Sequence, residues 1–320
     1  LKKKLLGSTF VAATALILVA CGGGDDDASG NGNGDSGTGD NENTAEGYVP
    51  EDLTVQFVPS QNAETLDVIA EPLEEMLEER LDIPVTVNVS SDYNGVVAAM
   101  GSGSVDVGFL PPNAYVEAEA QGYAEVILQS QRYGVNEEDG SETEDLVDSY
   151  KAQFVVRADS DIETLDDLVG KNIGFQNTTS SAGYVWPVGL LMDNGIDVSD
   201  VNNVPMQGHD AAIIALLAED VDAAATFQDA RNTVVGDFPT VFEDTRILEV
   251  TEDIPNDTIS VHADMNDEWK QKIADAFIDI GQTEEGGQII YDVYSHRGYA
   301  PSQDSNFDIV REYAEKIQDQ

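Results

Sequence analysis

The chain has 320 residues, of which 62 are Asp or Glu and 15 are Lys or Arg, for a formal net charge of -47. Such a charge repels nucleic acid and anionic lipid surfaces. The 41% hydrophobic content is enough for packed cores and excludes global disorder. The length suits about two domains, and any anion site in this field must work through close hydrogen bonds.

Lys2, Lys3 and Lys4 precede an apolar run from Phe10 to Ala20, which reads as a signal peptide over residues 1–20. The run ends in Leu18-Val19-Ala20-Cys21-Gly22, and its last residues resemble a bacterial lipobox, which implies that Cys21 is acylated and becomes the mature N-terminus. An ordinary signal peptide with a chance cysteine is the alternative. Cys21 is the single cysteine, so an internal disulfide is excluded. Residues 21–48 are rich in Gly, Ser, Asn and Asp and lack apolar periodicity, which predicts a flexible acidic tether.

From Leu53 onward, strand and helix patterns alternate. Strands are expected at Leu53–Val58, Val85–Val89, Val105–Leu110, Glu125–Ser130, Ala152–Val156, Asn172–Phe175, Val221–Thr226 and Thr258–His262. Helices are expected at Ala63–Arg80, Asn94–Met100, Asn113–Gln121, Ser181–Met192, Ala211–Ala218 and Trp269–Gly281, with Pro72 kinking or dividing the first. The alternation predicts α/β layers with mostly parallel sheets.

A repeat runs through this pattern. The stretch from Tyr93 to Met100, leading to Val105-Asp106-Val107, matches that from His209 to Leu216, leading to Val221-Asp222-Ala223, without gaps at an offset of 209 − 93 = 116. At the same offset Asn113 falls over Asp229. Two similar lobes explain this, with residues 49–150 plus 261–320 in lobe 1 and residues 151–260 in lobe 2. Linkers near Tyr150 and Ser260 would act as hinges. In open α/β sheets ligands sit beyond the carboxyl ends of strands, so Tyr93 and His209 are expected to face one interlobe cleft.

Thr178, Thr179, Ser180 and Ser181 follow a strand and open a helix. Unpaired N–H groups and hydroxyls at such a helix start suit a tetrahedral oxyanion. Simple N-capping is the alternative, although it needs one hydroxyl. His209 and Tyr93 offer an N–H and a phenol O–H, or are a capping histidine and a packed loop aromatic. Asp257 and Asp229 are solvated surface, or carboxylates that accept a hydrogen bond from a protonated ligand oxygen and repel sulfate.

Together, Ser91-Asp92-Tyr93-Asn94-Gly95-Val96, Val105-Asp106-Val107-Gly108-Phe109, the stretch from Thr179 to Pro187, Gly208-His209-Asp210 and Ile254-Pro255-Asn256-Asp257 resemble the phosphate/phosphite/phosphonate substrate-binding proteins of ABC importers, the PhnD-like family. The resemblance covers residues 50–320. It implies an α/β, two-lobed type II periplasmic-binding-protein fold that closes on its ligand. It implies that Thr179, Ser180, Ser181 and Ala182 grip the phosphorus oxygens with Tyr93 and His209, and that Asp257 and Asp229 match family carboxylates. The expected partners are a small phosphorus oxyanion, an ABC permease and its ATPase, and the membrane through the lipid on Cys21 alone. The protein would be a monomer on the outer face of the cell membrane, without cofactor or metal. Leu110, followed by Pro111 and Pro112, stands where phosphonate-specific relatives carry an aromatic hydroxyl, which changes the pocket wall and opens phosphite or methylphosphonate as alternatives to 2-aminoethylphosphonate.

Other readings keep the fold but change the ligand to a sulfonate or pyrimidine precursor, or make the chain a ligand-presenting sensor subunit. An enzyme is not expected. There is no Gly-x-Ser-x-Gly elbow, and His209, His262 and His296 are too widely spaced for a metal cluster.

Overall fold

The computed structural model describes residues 47–136, 141–228 and 230–318. The leader, Cys21, nearly all of the tether and Asp229 lie outside the described residues. Tyr48, at the tether's far end, donates to Asp106 at 2.6 Å and pairs with Met265.

The chain begins with β1 (Leu53–Phe57), α1 (Ala63–Ala70), α2 (Pro72–Leu81), β2 (Val85–Val89), α3 (Tyr93–Gly101), β3 (Val107–Leu110), α4 (Pro112–Ala120), β4 (Ala124–Val135) and β5 (Glu142–Val147). It continues through β6 (Ser149–Arg157), β7 (Asn172–Phe175), α5 (Trp186–Asp193), β8 (Asn202–Pro205), α6 (His209–Leu217), β9 (Ala223–Phe227), α7 (Val241–Asp244) and β10 (Thr245–Pro255). The last elements are β11 (Thr258–His262), α8 (Asp267–Gln282), α9 (Glu284–Tyr294), β12 (Gly298–Pro301) and α10 (Asp308–Gln318). Pro72 divides the first helix as expected, because its ring opens α2 at a position where the missing N–H costs nothing.

Two sheets form. The first has the order β12-β4-β11-β3-β1-β2, with β5 on β4, and the second β10-β6-β9-β7-β8. They repeat one plan. In each, a central strand (β1 or β7) lies parallel to both neighbours, and the next strands along run antiparallel. The expectation of mostly parallel sheets is therefore corrected. The chain enters the second sheet through β6 and re-enters the first through β11, and both returning strands pair antiparallel to the strands they join.

The repeat seen in sequence is structural. Helices α3 and α6 start and end at the same offset, as do the starts of β3 and β9. The two Val-Asp pairs do the same work. Asp106 accepts the backbone N–H of Thr54 at 2.8 Å, and Asp222 that of Asn172 at 2.9 Å, pinning the start of each central strand. Val105 and Val221 are buried beside them.

The chain crosses between sheets twice, at Asp148 and at Asn256-Asp257. The crossings are tied together: Asn256 donates its backbone N–H to Asp148 O at 2.8 Å and its amide Nδ2 to Val147 O at 3.0 Å. Helix α10 packs against α4 and also α5, where Tyr313 stacks on Trp186 at 4.5 Å.

Candidate ligand-binding site

The loops after β2 and β8 deliver Tyr93 and His209 to equivalent helix starts. Asp92 caps α3 by accepting the Gly95 N–H at 2.8 Å. Gly208 precedes α6 without a side-chain cap, because its backbone runs against that of Gln61: a Cβ there would lie 3.1 Å from Gln61 Cα. This approach lets the His209 N–H donate to Ser60 O at 2.9 Å, from the second sheet's loops to the first's.

The hydroxyl-rich loop after β7 turns sharply. Asn177 Oδ1 accepts from the Thr179 N–H and from its hydroxyl, and Ser180 Oγ accepts the Gly183 N–H at 3.1 Å. The first helical turn is wide, with the Val185 N–H reaching Ser180 O five residues back. Pro187 has no N–H to offer Gly183 O, and that carbonyl instead accepts from Gln176 N at 3.0 Å. Gln176 presses on Gly183 so closely that a Cβ would lie 2.1 Å from its Cγ, so glycine is required. The Gln176 amide then donates to Gly208 O at 3.0 Å, joining the hydroxyl loop to the His209 loop.

Between the two sheets these loops enclose a cavity of about 40 Å³. Tyr93, Ser180, Ala182, His209 and Asp257 all line it. Val58, Phe109, Leu110, Pro111 and Phe227 supply apolar wall, and Ser60, Gln61, Arg132, Tyr150 and Tyr294 complete it. Thr179 instead borders a separate surface cavity with Thr178 and Tyr184. Ser181 is fully buried off the cavity lining, and its Oγ accepts the Asn113 N–H at 2.9 Å. Asp229 is outside the described residues.

Arg132 escaped the sequence reading. It projects from β4, is 5% exposed, lies over the Tyr150 ring at 4.6 Å, and has Nη2 3.7 Å from Asp257 Oδ2. The available signal was an arginine just past the Glu125–Ser130 strand pattern, in a chain with 15 basic residues. His296 was also passed over as a site residue; its Nε2 approaches Asp257 Oδ2 at 3.4 Å from behind the cavity.

Burial dominates the ionisation of the lining groups. It pushes the His209 pKa down to about 3, against the opposing pull of Asp257 and with help from Arg132. The imidazole is therefore neutral, with Nδ1 3.0 Å from the Thr226 hydroxyl. Burial also lowers His296 and raises the Tyr93 and Tyr294 phenols, which remain O–H donors. Tyr294 donates to Val58 O at 2.5 Å. The cavity thus offers a guanidinium, a phenol, a hydroxyl and an imidazole beside one carboxylate. Among the described residues no cluster of three or more His, Cys, Asp or Glu could hold a metal, and no helix is long and apolar enough to cross a membrane.

Two α/β lobes of the same plan, joined by two short crossings and sharing one enclosed cavity, define a two-lobed periplasmic-binding-protein fold. The family model for the periplasmic substrate-binding proteins of phosphonate ABC transporters matches residues 55–307, and the chain belongs to that family. It is 31% identical over 229 residues to the phosphate-import protein PhnD of Mycolicibacterium smegmatis, covering 69% of this chain and 64% of that protein, so it spans just under two thirds of that relative. It is 23% identical over 254 residues to the phosphonates-binding periplasmic protein of Escherichia coli, covering 78% and 71%. The fold matches a binding-protein component of an ABC phosphonate transporter from Pseudomonas aeruginosa (TM-score 0.72, 19% identity, 83% and 86% covered). It also matches PhnD1 of Prochlorococcus marinus in complex with methylphosphonate (TM-score 0.70, 16% identity, 84% and 99% covered). These relatives are binding proteins, not enzymes.

Proposed function

We propose that the chain is the solute receptor of an ABC importer and captures a small, singly protonated phosphorus oxyanion, with methylphosphonate and phosphite preferred. The observation that carries this reading is the cavity of about 40 Å³ in which Arg132, His209, Tyr93 and Ser180 meet Asp257. Its volume is far below the ~300–1,000 Å³ of pockets for drug-sized ligands. The donors replace the hydration shell of the unprotonated oxygens, each charge-assisted bond contributing about 1.5–3 kcal/mol. The Ala182 amide, which makes no hydrogen bond within the described protein, extends the donor set. Thr179 and Ser181 act through the shape of the loop, and Asp229, outside the described residues, is a further candidate from the sequence alone.

Asp257 accepts the ligand's own P–O–H. Sulfate has no proton to give at neutral pH and meets a carboxylate instead. Asp257 already faces Arg132 and His296, so its charge is not reserved for a ligand amine. Leu110 and Pro111 set an apolar wall against the P–H or P–CH3 group. Both features disfavour 2-aminoethylphosphonate.

The lobes close as rigid bodies about Asp148 and Asn256-Asp257, close to the boundaries read from sequence. The lipid on Cys21 and the tether keep a monomeric receptor outside the cell membrane, within reach of a permease and its ATPase. A calorimetric panel of phosphite, methylphosphonate, phosphate, 2-aminoethylphosphonate and sulfate tests the reading. The expected order places the first two at least about tenfold above the last two. No heat with any phosphorus anion, or sulfate binding as well as phosphite, refutes it.

A further inference from the structure

We infer that Thr226 is a positioning residue for the oxyanion: its hydroxyl donates to His209 Nδ1 and sets the imidazole in the tautomer that presents Nε2–H to the cavity. The inference rests on the oxyanion reading above and adds to it a residue that does not line the cavity.

Thr226 lies in β9 and is fully buried. Its Oγ1 stands 3.0 Å from His209 Nδ1, and this is the one hydrogen bond its hydroxyl makes among the described residues. A neutral imidazole carries one ring proton. If that proton sat on Nδ1, Thr226 would have to accept it, and the buried threonine O–H would have no acceptor of its own. With the threonine as donor, its O–H is satisfied and the ring proton moves to Nε2. His209 Nε2 makes no hydrogen bond within the described protein, and the residue lines the cavity. The ring cannot readily turn away. Phe227 packs edge-on against it at 4.7 Å, and the His209 backbone N–H is held by Ser60 O. Burial keeps the imidazole neutral, with a pKa of about 3, so the tautomer and not protonation decides what the ligand meets.

The site then divides its labour. His209 serves as a donor toward the ligand and Asp257 as an acceptor. Losing the Thr226 hydroxyl lets the imidazole present its lone pair to an anion, which weakens every oxyanion to a similar degree. Losing the Asp257 charge changes their ranking.

Long-range 1H–15N ring spectra of the full chain, with His209 assigned by the signal lost in His209→Gln, read the tautomer directly. The expected result is a bare Nδ1 and a protonated Nε2. In calorimetry, Thr226→Val is expected to weaken phosphite and methylphosphonate alike by about tenfold or more. Thr226→Ser, which keeps the hydroxyl, stays within about threefold of the native protein. A ring proton on Nδ1 in the native protein, or Thr226→Val binding within about twofold of it, overturns the inference. If the native protein binds none of these anions, the oxyanion reading fails, while the ring spectrum still decides the role of Thr226.

Discussion

The Ser181 hydroxyl accepts the backbone N–H of Asn113 at 2.9 Å, and so caps helix α4 from the other sheet's loop. Helix α4 opens with Pro111 and Pro112 and has no side-chain cap of its own. An orphan N–H at a helix start is ordinarily satisfied by the preceding residue, which proline cannot do. Here the partner comes from the loop after β7. Ser181→Ala should therefore shift the unliganded protein toward open forms and weaken ligand binding about three- to tenfold, in keeping with the ~0.5–2 kcal/mol of an N-cap. Small-angle scattering and calorimetry check this together. A larger radius of gyration should accompany the weaker binding, and a hundredfold loss without a change in shape would make Ser181 a direct ligand contact instead.

Asp257 faces Arg132 at 3.7 Å and His296 at 3.4 Å on one edge of the cavity. Asp257→Asn keeps the shape and removes the negative charge. Sulfate affinity should rise and methylphosphonate affinity fall, narrowing their ratio by about tenfold or more. An unchanged ratio in competition calorimetry would show that selectivity lies elsewhere.

The two buried histidines predict acid sensitivity. Burial holds His209 near a pKa of 3 and lowers His296, whereas an unfolded chain takes up a proton near pH 6.5. The contribution of each is fully present above pH 6.5 and is lost as pH falls, for His209 down to about pH 3. The slope is at most about 1.4 kcal/mol per pH unit for each histidine. Denaturant titrations of the native protein and His209→Gln between pH 4.5 and 7 should give a shallower acid slope for the variant.

The charge of -47 predicts a strong salt response. At low ionic strength the acidic surfaces repel one another, and at 1 M salt the screening length falls to about 3 Å. The thermal midpoint should rise by several degrees from 0.05 to 1 M NaCl, by differential scanning fluorimetry. A flat response would mean that surface repulsion is not a leading destabilising term.

What was legible in the sequence followed from local rules. The repeat at offset 116 fixes two equivalent helix starts, so Tyr93 and His209 could be paired before any contact was known. The hydroxyl loop and its helix were visible because a strand pattern, small residues and an apolar helix follow one another. Strands β5, β8, β10 and β12 were missed. The first three are largely exposed or carry interspersed polar and acidic residues, and β12 has four residues, so none shows a clear two-residue period.

By itself, the amino-acid order determined the α/β alternation, the two-fold plan and the loops where polar groups gather, because periodicity and helix starts are set by neighbours a few residues apart. The tertiary structure alone decided which groups share the cavity. The wide turn at Ser181–Val185 sends Ser180 and Ala182 to the cavity and Ser181 to Asn113. The return of β11 between β3 and β4 brings Asp257 to Arg132, and β9 sets Thr226 behind His209. These are contacts between residues 17 to more than 100 positions apart, and no local pattern encodes the direction in which such a side chain points.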